Sequence, residues 1–308
     1  MTDFRETLAA HRPDLLRHCY RMLGSFADAE DIVQDVLLNA WKARATYAGD
    51  APVGHWLMRI ATNACLNDLA RKRRRALPQT EREPSSGLAA IEELEMADWI
   101  GPAPDAQLFG APAAQVLEAR ESVALAFLAL LQRLPPRQRA VLLLKDVVGW
   151  SAEEIATALE LTVPSVNSAL HRARETVSAP TTTTREPEPD ALRAYIRSWE
   201  LHDVDALVAM LRDDIVFAMP PHATWFRGRV ELERFLRESR FAAHWAAGFR
   251  IRETRANGRP ALAFYRRVDH EYRRSSLQLL DFRDGKVAEI ISFIGEPYFR
   301  GFDVPETA

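Results

Sequence analysis

The chain has 308 residues, 47% of them hydrophobic and 27% charged, with a formal net charge of −3, a size that suits about two or three domains with real cores. A near-neutral balance excludes a nucleic-acid binder that works by overall positive charge, and no stretch approaches the apolar length of a membrane span. Only Cys19 and Cys65 occur, with no CxxC spacing, so two buried thiols are expected rather than a disulfide framework or a structural zinc site. The polar, mixed-charge start carries no secretory signal pattern, which points to a cytoplasmic protein without membrane contact.

From Asp3 to Leu23 the pattern predicts a helix anchored by Leu8, Leu15, Leu16, Cys19 and Leu23, ended by Gly24 and Ser25. Asp28 is the expected N-cap of the next helix, which turns Ile32, Val33, Val36, Leu37, Ala40 and Trp41 inward. Asp31, Gln34, Asp35, Leu38 and Asn39 are left outside, an acidic face with one leucine that suits a protein partner. A glycine- and proline-bearing loop around Tyr47 follows. The next helix, HWLMRIATNACLNDLARKRRR, buries a stripe from Trp56 to Leu69 and runs into Arg71, Lys72, Arg73, Arg74 and Arg75. Cations at a helix C-terminus favour the macrodipole, so a merely solvated terminus competes with a DNA-binding reading of that block. An aromatic loop beside a basic helix is also the composition that holds unstacked bases.

SFADAEDIVQDVLLNAWKA, the Tyr47 loop and WLMRIATNACLNDLARKRRR resemble, in order and spacing, the promoter-melting region of bacterial extracytoplasmic-function sigma factors. The resemblance implies that Asp31, Gln34, Asp35 and Leu38 face the clamp region of core RNA polymerase. It also implies that Tyr47, Trp56, Arg59, Asn63, Arg71 and Arg73 lie near the melted minus-ten element of promoter DNA.

Residues 76–118 are rich in Pro, Gly, Ser and acids, with one helical turn expected at Ile91 to Met96. They read as a linker, either a passive tether or, by the same resemblance, an acidic chain running toward the RNA exit channel. Residues 119–177 return to a helical pattern punctuated by Pro135, Pro136 and Gly149. Ser151 with Glu154 three residues later is a capping box, and Thr162 can cap the helix after it. The pair forms a helix-turn-helix whose second helix turns Val166, Leu170, Ala173 and Val177 inward and presents Ser165, Asn167, Ser168, His171, Arg172 and Arg174. LPPRQRAVLLLKDVVGWSAEEIATALELTVPSVNSALHRAR resembles the minus-thirty-five-reading region of the same sigma family. Asn167 and Ala169 stand where many members carry Lys and Arg, which predicts modest DNA affinity for this module alone.

A Thr- and Pro-rich linker, 178–189, precedes a third module, 190–308, in which helices lead into strands at 215–219, 249–254, 259–269, 275–283 and 286–294, with Asp284-Gly285 as a hairpin turn. This predicts an α+β domain with a curved antiparallel sheet, and it resembles the SnoaL-like cone. His222, Trp225, Phe226, Phe241, His244, Trp245, Tyr265 and Asp281 are candidates for a pocket or its rim, although core packing is the ordinary role of such aromatics. With no evident acid and base pair, the domain is expected to regulate rather than catalyse, sensing a small-molecule ligand or a regulatory protein. The expected whole is two all-α sigma modules followed by the cone, a non-enzymatic promoter-specificity subunit that needs no cofactor or metal. A ligand-responsive helix-turn-helix regulator and a bifunctional protein with an enzymatic cone remain open at this level.

Overall fold

The computed structural model describes residues 4–44, 47, 49, 51–72, 74–88, 99–109, 123–177 and 187–308. It separates into two compact units, Met1–Arg75 with Asp105–Thr181 and Ala76–Pro104 with Thr182–Ala308. The expected turn at Ile91 to Met96 and the residue Arg73 lie outside the described residues.

In the first unit the expected opening helix is divided into α1 (Phe4–Ala10) and α2 (Arg12–Leu23). Pro13 is the reason, because it has no N–H to donate to the preceding turn and is tolerated only in the first turn of a new helix. Gly24, at φ +69, closes α2 and donates its N–H to the Tyr20 carbonyl at 2.8 Å. The N-cap of α3 (Phe26–Lys42) is Ser25, whose hydroxyl accepts from the Asp28 N–H at 3.3 Å. Asp28, the expected cap, instead sits in the first turn, where its carboxylate meets the positive helix end and binds Arg75 at 2.5 Å and Lys72 at 3.0 Å. Helix α4 (Val53–Leu69) completes a bundle around Leu15, Leu16, Cys19, Leu23, Val33, Val36, Leu57, Ala61 and Cys65, all buried. Each such Leu or Val contributes about 1.5–3 kcal/mol relative to exposure.

The same unit continues with a short helix, Asp105–Phe109, held to α2 by Arg17 donating to the Leu108 carbonyl and Arg12 donating to Gln107 at 3.1 Å. Helix α5 (Leu125–Arg133) stops before Pro135, and α6 (Pro136–Leu142) runs into a π-helical turn, Leu143–Val147. Arg139, 2% exposed, joins these helices to α2. It donates to the Met22 carbonyl, to the Gln132 side chain at 2.5 Å and to the Gln132 and Leu134 carbonyls at 3.1 Å each. Gln132 in turn donates to the Arg21 carbonyl at 3.2 Å. Helix α7 (Ala152–Leu159) begins with the expected capping box, in which Ser151 N–H donates to Glu154 at 2.7 Å and Glu154 N–H to Ser151 Oγ at 3.1 Å. Glu160, at φ +54, ends it, and α8 (Val163–Val177) starts under the expected Thr162 cap, which accepts from Ser165 N–H at 3.3 Å.

The second unit places α9 (Pro189–Glu200) and α10 (Val204–Ala209) before β1 (Leu211–Ala218) and β2 (Trp225–Arg227). Helices α11 (Arg229–Glu238) and α12 (Arg240–Ala246) then lead into β3 (Phe249–Ala256), β4 (Arg259–Val268), β5 (Glu271–Arg283) and β6 (Lys286–Ile294). The order is β2-β1-β6-β5-β4-β3. The sheet is mixed rather than wholly antiparallel, since β1 and β6 run parallel with Phe217 opposite Ile290. The two helices carry the chain from β2 to the far edge, and the β3–β6 meander brings its last strand back beside β1 in the same direction. Asp284 and Gly285 both have positive φ, as the two-residue hairpin turn requires.

One sheet face and the helices share a core in which Tyr195, Trp199, Phe217, Phe226, Phe235, Trp245, Phe264 and Leu280 are buried together. Trp199 lies 4.6 Å from Trp245, and Phe226 4.7 Å from Phe235, between ring centroids. The described part of 76–104 is packed into this unit. Ser85 N–H donates to the Trp225 carbonyl at 2.7 Å, Trp225 Nε1 donates to the Arg82 carbonyl at 3.0 Å, and Ala103 and Asn257 exchange two hydrogen bonds of 3.0 Å. Trp99, Ile100 and Ala103 are buried.

Candidate polymerase and nucleic-acid interfaces

Helix α3 divides as its sequence pattern requires, with Val33, Val36 and Ala40 buried and Asp31, Gln34, Asp35 and Leu38 exposed. Their spacing of three and four places them on one face, and Leu38 is 49% exposed. A large apolar side chain framed by carboxylates and an amide is a surface that a basic partner with an apolar notch can cover.

Tyr47, Trp56, Arg59 and Asn63 come together along one side of α4. Tyr47 and Trp56 have ring centroids 5.0 Å apart, and the Tyr47 hydroxyl donates to the Ala51 carbonyl. Trp56 is half-buried, while Arg59 and Asn63 are exposed. A cavity of about 670 Å³ opens here, lined on the α4 side by Tyr47, His55, Trp56 and Arg59 and on the other by Trp150, Glu153, Glu154 and Thr157. A second, of about 520 Å³, continues along Arg59, Asn63 and Asn67 against Thr157, Ala158 and Glu160. Sequence reasoning missed Trp150, His55 and Glu154 as neighbours. His55 lies over Trp150, at 4.9 Å between centroids, with its Nδ1 3.5 Å from Glu154.

The basic block after α4 is not uniform. Arg71 and Arg74 are exposed, but Arg75 is 6% exposed and donates to the Leu23 carbonyl at 2.9 Å while pairing with Asp28. Lys72 bridges Asp28 and Asp68. Burial works against ionisation of Asp28, yet Arg75 and Lys72 outweigh it and hold its carboxyl below the usual range. Arg75 is therefore a structural strut between α2 and α3 and not part of a phosphate-binding run.

On α8, Ser165, Asn167, Ser168, His171, Arg172 and Arg174 are all exposed, and Val166, Ala169, Leu170 and Ala173 are buried. Asp146 clasps Arg174 at 2.5 and 3.0 Å, and its hydrogen bonds raise the guanidinium's proton affinity. His171 Nε2 stands 3.6 Å from Glu175. Of the two positions where phosphate-binding charge was expected to be missing, only Asn167 faces outward; Ala169 is 8% exposed and belongs to the inward stripe.

Among the described candidate pocket residues of the third module, Phe226 and Tyr265 lie on opposite faces of the sheet. Phe226 is inside the aromatic core, as are Phe241 at its edge and Trp245. Tyr265 follows Phe264 onto the opposite sheet face, where its hydroxyl donates to the Pro305 carbonyl at 2.9 Å. Asp281, also buried, accepts from Arg283 at 2.9 Å. Trp225 is turned to the Arg82 carbonyl, His222 is half-buried next to the cis Pro220-Pro221 bond, and the His244 side chain lies outside the described residues.

Comparison with known families matches Sigma-70 region 2 to residues 7–75, Sigma-70 region 4 to 124–177 and the SnoaL-like domain to 192–290. The ECF RNA polymerase sigma factor SigG of Mycobacterium tuberculosis is 37% identical over 314 residues, spanning 99% of this chain and 85% of that protein. The ECF sigma factor SigW of Bacillus subtilis is 27% identical over 56% of this chain and 85% of its own length. Among solved structures, the extracytoplasmic-function sigma factor SigJ of M. tuberculosis aligns over 98% of this chain and 100% of its own, with a TM-score of 0.62 at 21% identity, a likeness of fold.

Proposed function

This chain belongs to the ECF sigma factors of bacterial RNA polymerase and carries a SnoaL-like domain at its C-terminal end, and on that premise we propose which residues recognise polymerase and promoter and what the third domain does. It works in the cytoplasm, where polymerase and promoter meet. Asp31, Gln34, Asp35 and Leu38 on α3 dock on the clamp region of core polymerase. Tyr47, Trp56, Arg59, Asn63 and Arg71 hold the separated minus-ten strand: the aromatics stack bases, Asn63 and Arg59 read base edges, and Arg71, with Arg73, binds phosphate. Helix α8 enters the minus-thirty-five major groove with Ser165, Asn167, Ser168, His171, Arg172 and Arg174.

One observation supports this reading: every candidate residue on α3 and α8, and Arg59 and Asn63 on α4, is exposed opposite a buried stripe that anchors the helix. Run-off transcription with core polymerase and a cognate promoter tests it. Arg59→Ala with Asn63→Ala should abolish open-complex formation while leaving polymerase binding intact, whereas Asp35→Arg with Leu38→Ala should lose polymerase itself. Full activity of either double variant would refute the assignment of that face.

The SnoaL-like domain tunes sigma activity and does not turn over a substrate. Support comes from what fills the cone: Trp199, Trp245, Phe226 and Phe235 pack together, and the Tyr195 hydroxyl is committed to Gln278 at 2.8 Å. Burial pushes that phenol far above its usual range, so it cannot serve as a base.

A further inference from the structure

We propose that the track for the separated strand does not end at Tyr47 but continues past Phe4 and Trp41 to Arg44, whose guanidinium binds phosphate of the nucleotides flanking the minus-ten element. The inference rests on the reading of Tyr47 and Trp56 as strand contacts.

Four aromatic side chains form one row across α4, the Tyr47 loop, α1 and α3. Ring centroids are 5.0 Å apart for Trp56 and Tyr47, 6.3 Å for Tyr47 and Phe4, and 6.5 Å for Phe4 and Trp41. Every one of these rings is half-buried, unlike the leucines, valines and cysteines that fill the bundle. Trp41 belongs to the inward stripe expected of α3, yet it too keeps part of its surface in solvent. Core packing is the ordinary reason for aromatics, but α1 already has a buried anchor in Leu8. A row of partly wet rings is what a single strand uses, since every base has a face to stack.

The cations at the end of the row supply the second argument. The Arg44 guanidinium lies 4.5 Å over the Trp41 indole, and its Nη1 donates to the Trp41 carbonyl at 2.9 Å. Arg5 approaches the same ring at 5.6 Å. That hydrogen bond caps the last turn of α3, where a cation also suits the helix dipole, and a lysine there would do no more. Stacking on the indole adds a fixed orientation for the planar fork and leaves donors to spare. Other arginines of this unit are clasped by carboxylates: Arg12 by Glu30, Arg17 by Asp14, Arg75 by Asp28 and Arg174 by Asp146. Arg44 is exposed and has no carboxylate partner among the described residues. An oriented, uncompensated guanidinium three positions from Tyr47 is a phosphate site. Helix α3 thus changes sign along its length, from Asp31 and Asp35 to Lys42 and Arg44, with the acidic part turned to polymerase and the basic end to nucleic acid.

The test uses the full chain bound to core polymerase and two fluorescent single strands from a promoter that this holoenzyme transcribes. One strand is the bare minus-ten element, and the other extends it by a few nucleotides on each side. Arg44→Ala should bind the extended strand about fivefold more weakly, with a salt slope lower by about 0.7, and the bare element within about twofold of wild type. Arg44→Lys keeps the charge without the stacked fork, so it should restore the slope but only part of the affinity. Unchanged binding of the extended strand by Arg44→Ala, or an equal loss on both strands, would overturn the extended track. So would a loss of polymerase affinity with the salt slope unaltered, which would put Arg44 against polymerase instead. Trp56→Ala should weaken both strands; no effect there would sink the underlying strand reading, whatever Arg44 does.

Discussion

Replacing Arg139 by methionine keeps the stem and removes the guanidinium. Burial, with the neighbouring Arg74 adding to it, lowers the pKa of Arg139 from 12.5 to about 10, so keeping it charged in place costs about 3 kcal/mol. That cost disappears in Arg139→Met. Against it, the Met22, Gln132 and Leu134 carbonyls and the Gln132 side-chain oxygen lose their donor, and a buried acceptor left unpaired costs about 1–3 kcal/mol. The loss outweighs the relief, and a net destabilisation of about 2–5 kcal/mol is expected, as when one side of a buried charged network is removed. Urea unfolding followed by circular dichroism should show it, with amide exchange accelerating in α5 and α6 before α9. Arg139→Lys should recover only a minor share, since an ammonium cannot span acceptors placed around a planar fork. A loss under 1 kcal/mol for Arg139→Met would refute the view that this cation holds the helices to α2.

Other perturbations follow from single side chains. His18 is buried with its Nε2 2.9 Å from Thr62 Oγ1, and burial followed by Arg21 lowers its pKa to about 3. The unfolded chain therefore takes up a proton that the folded one refuses; the stabilisation is complete above pH about 6.5 and declines as pH falls toward 3, by about 2 kcal/mol at pH 5. His18→Gln should flatten that slope in thermal melts at pH 7 and 5, and an unchanged slope would assign it elsewhere. Leu38→Glu should cut polymerase affinity about tenfold in a pull-down titration without moving the melting temperature, given its exposure; a lost fold would contradict the surface assignment. Asn167→Lys should tighten promoter binding and steepen its salt dependence by about one counterion, and an unaltered salt slope would show that the position misses the backbone. Tyr195→Phe strips the hydroxyl from Gln278 inside the cone and should destabilise the second unit by about 1 kcal/mol, with basal transcription retained; a larger effect on transcription than on stability would point to a ligand at this pair.

What could be read in the sequence was local. The Ser151–Glu154 capping box, the Thr162 cap and the Asp284-Gly285 turn depend on residues within three positions of each other, and the structure has all of them. The outward rows on α3 and α8 follow from helical periodicity in the same way. Asp28 shows the limit: an acid in the first turn and an acid at the cap look alike in sequence, and only the cations brought in from Arg75 and Lys72 separate them. Arg75 was hidden for the same reason, since a run of five basic residues gives no sign of which one folds back. The parallel β1–β6 pair and the dispersal of Tyr265, Asp281 and Phe226 over two sheet faces are matters of crossover and bulge, which hydrophobic alternation does not encode. Trp150 and His55, about a hundred positions apart, meet only because α6 packs beside α4.

The segment that leaves the first unit after Arg75 bears on how this protein can be dissected. Its Pro, Ser and acidic composition reads as tether, yet Trp99, Ile100 and Ala103 are buried in the second unit and Ala103 is paired with Asn257. A gene truncated after the helix-turn-helix would not subtract a module. It would leave an internal stretch with its indole and aliphatic groups newly wetted, a sticky product whose failure in transcription would be mistaken for evidence that the missing part is an activator. Grafting residues 190–308 onto another sigma factor meets the mirror problem, a sheet lacking the strand-like cover supplied from upstream. A fair trial of what the SnoaL-like domain does must exchange 76–104 along with it.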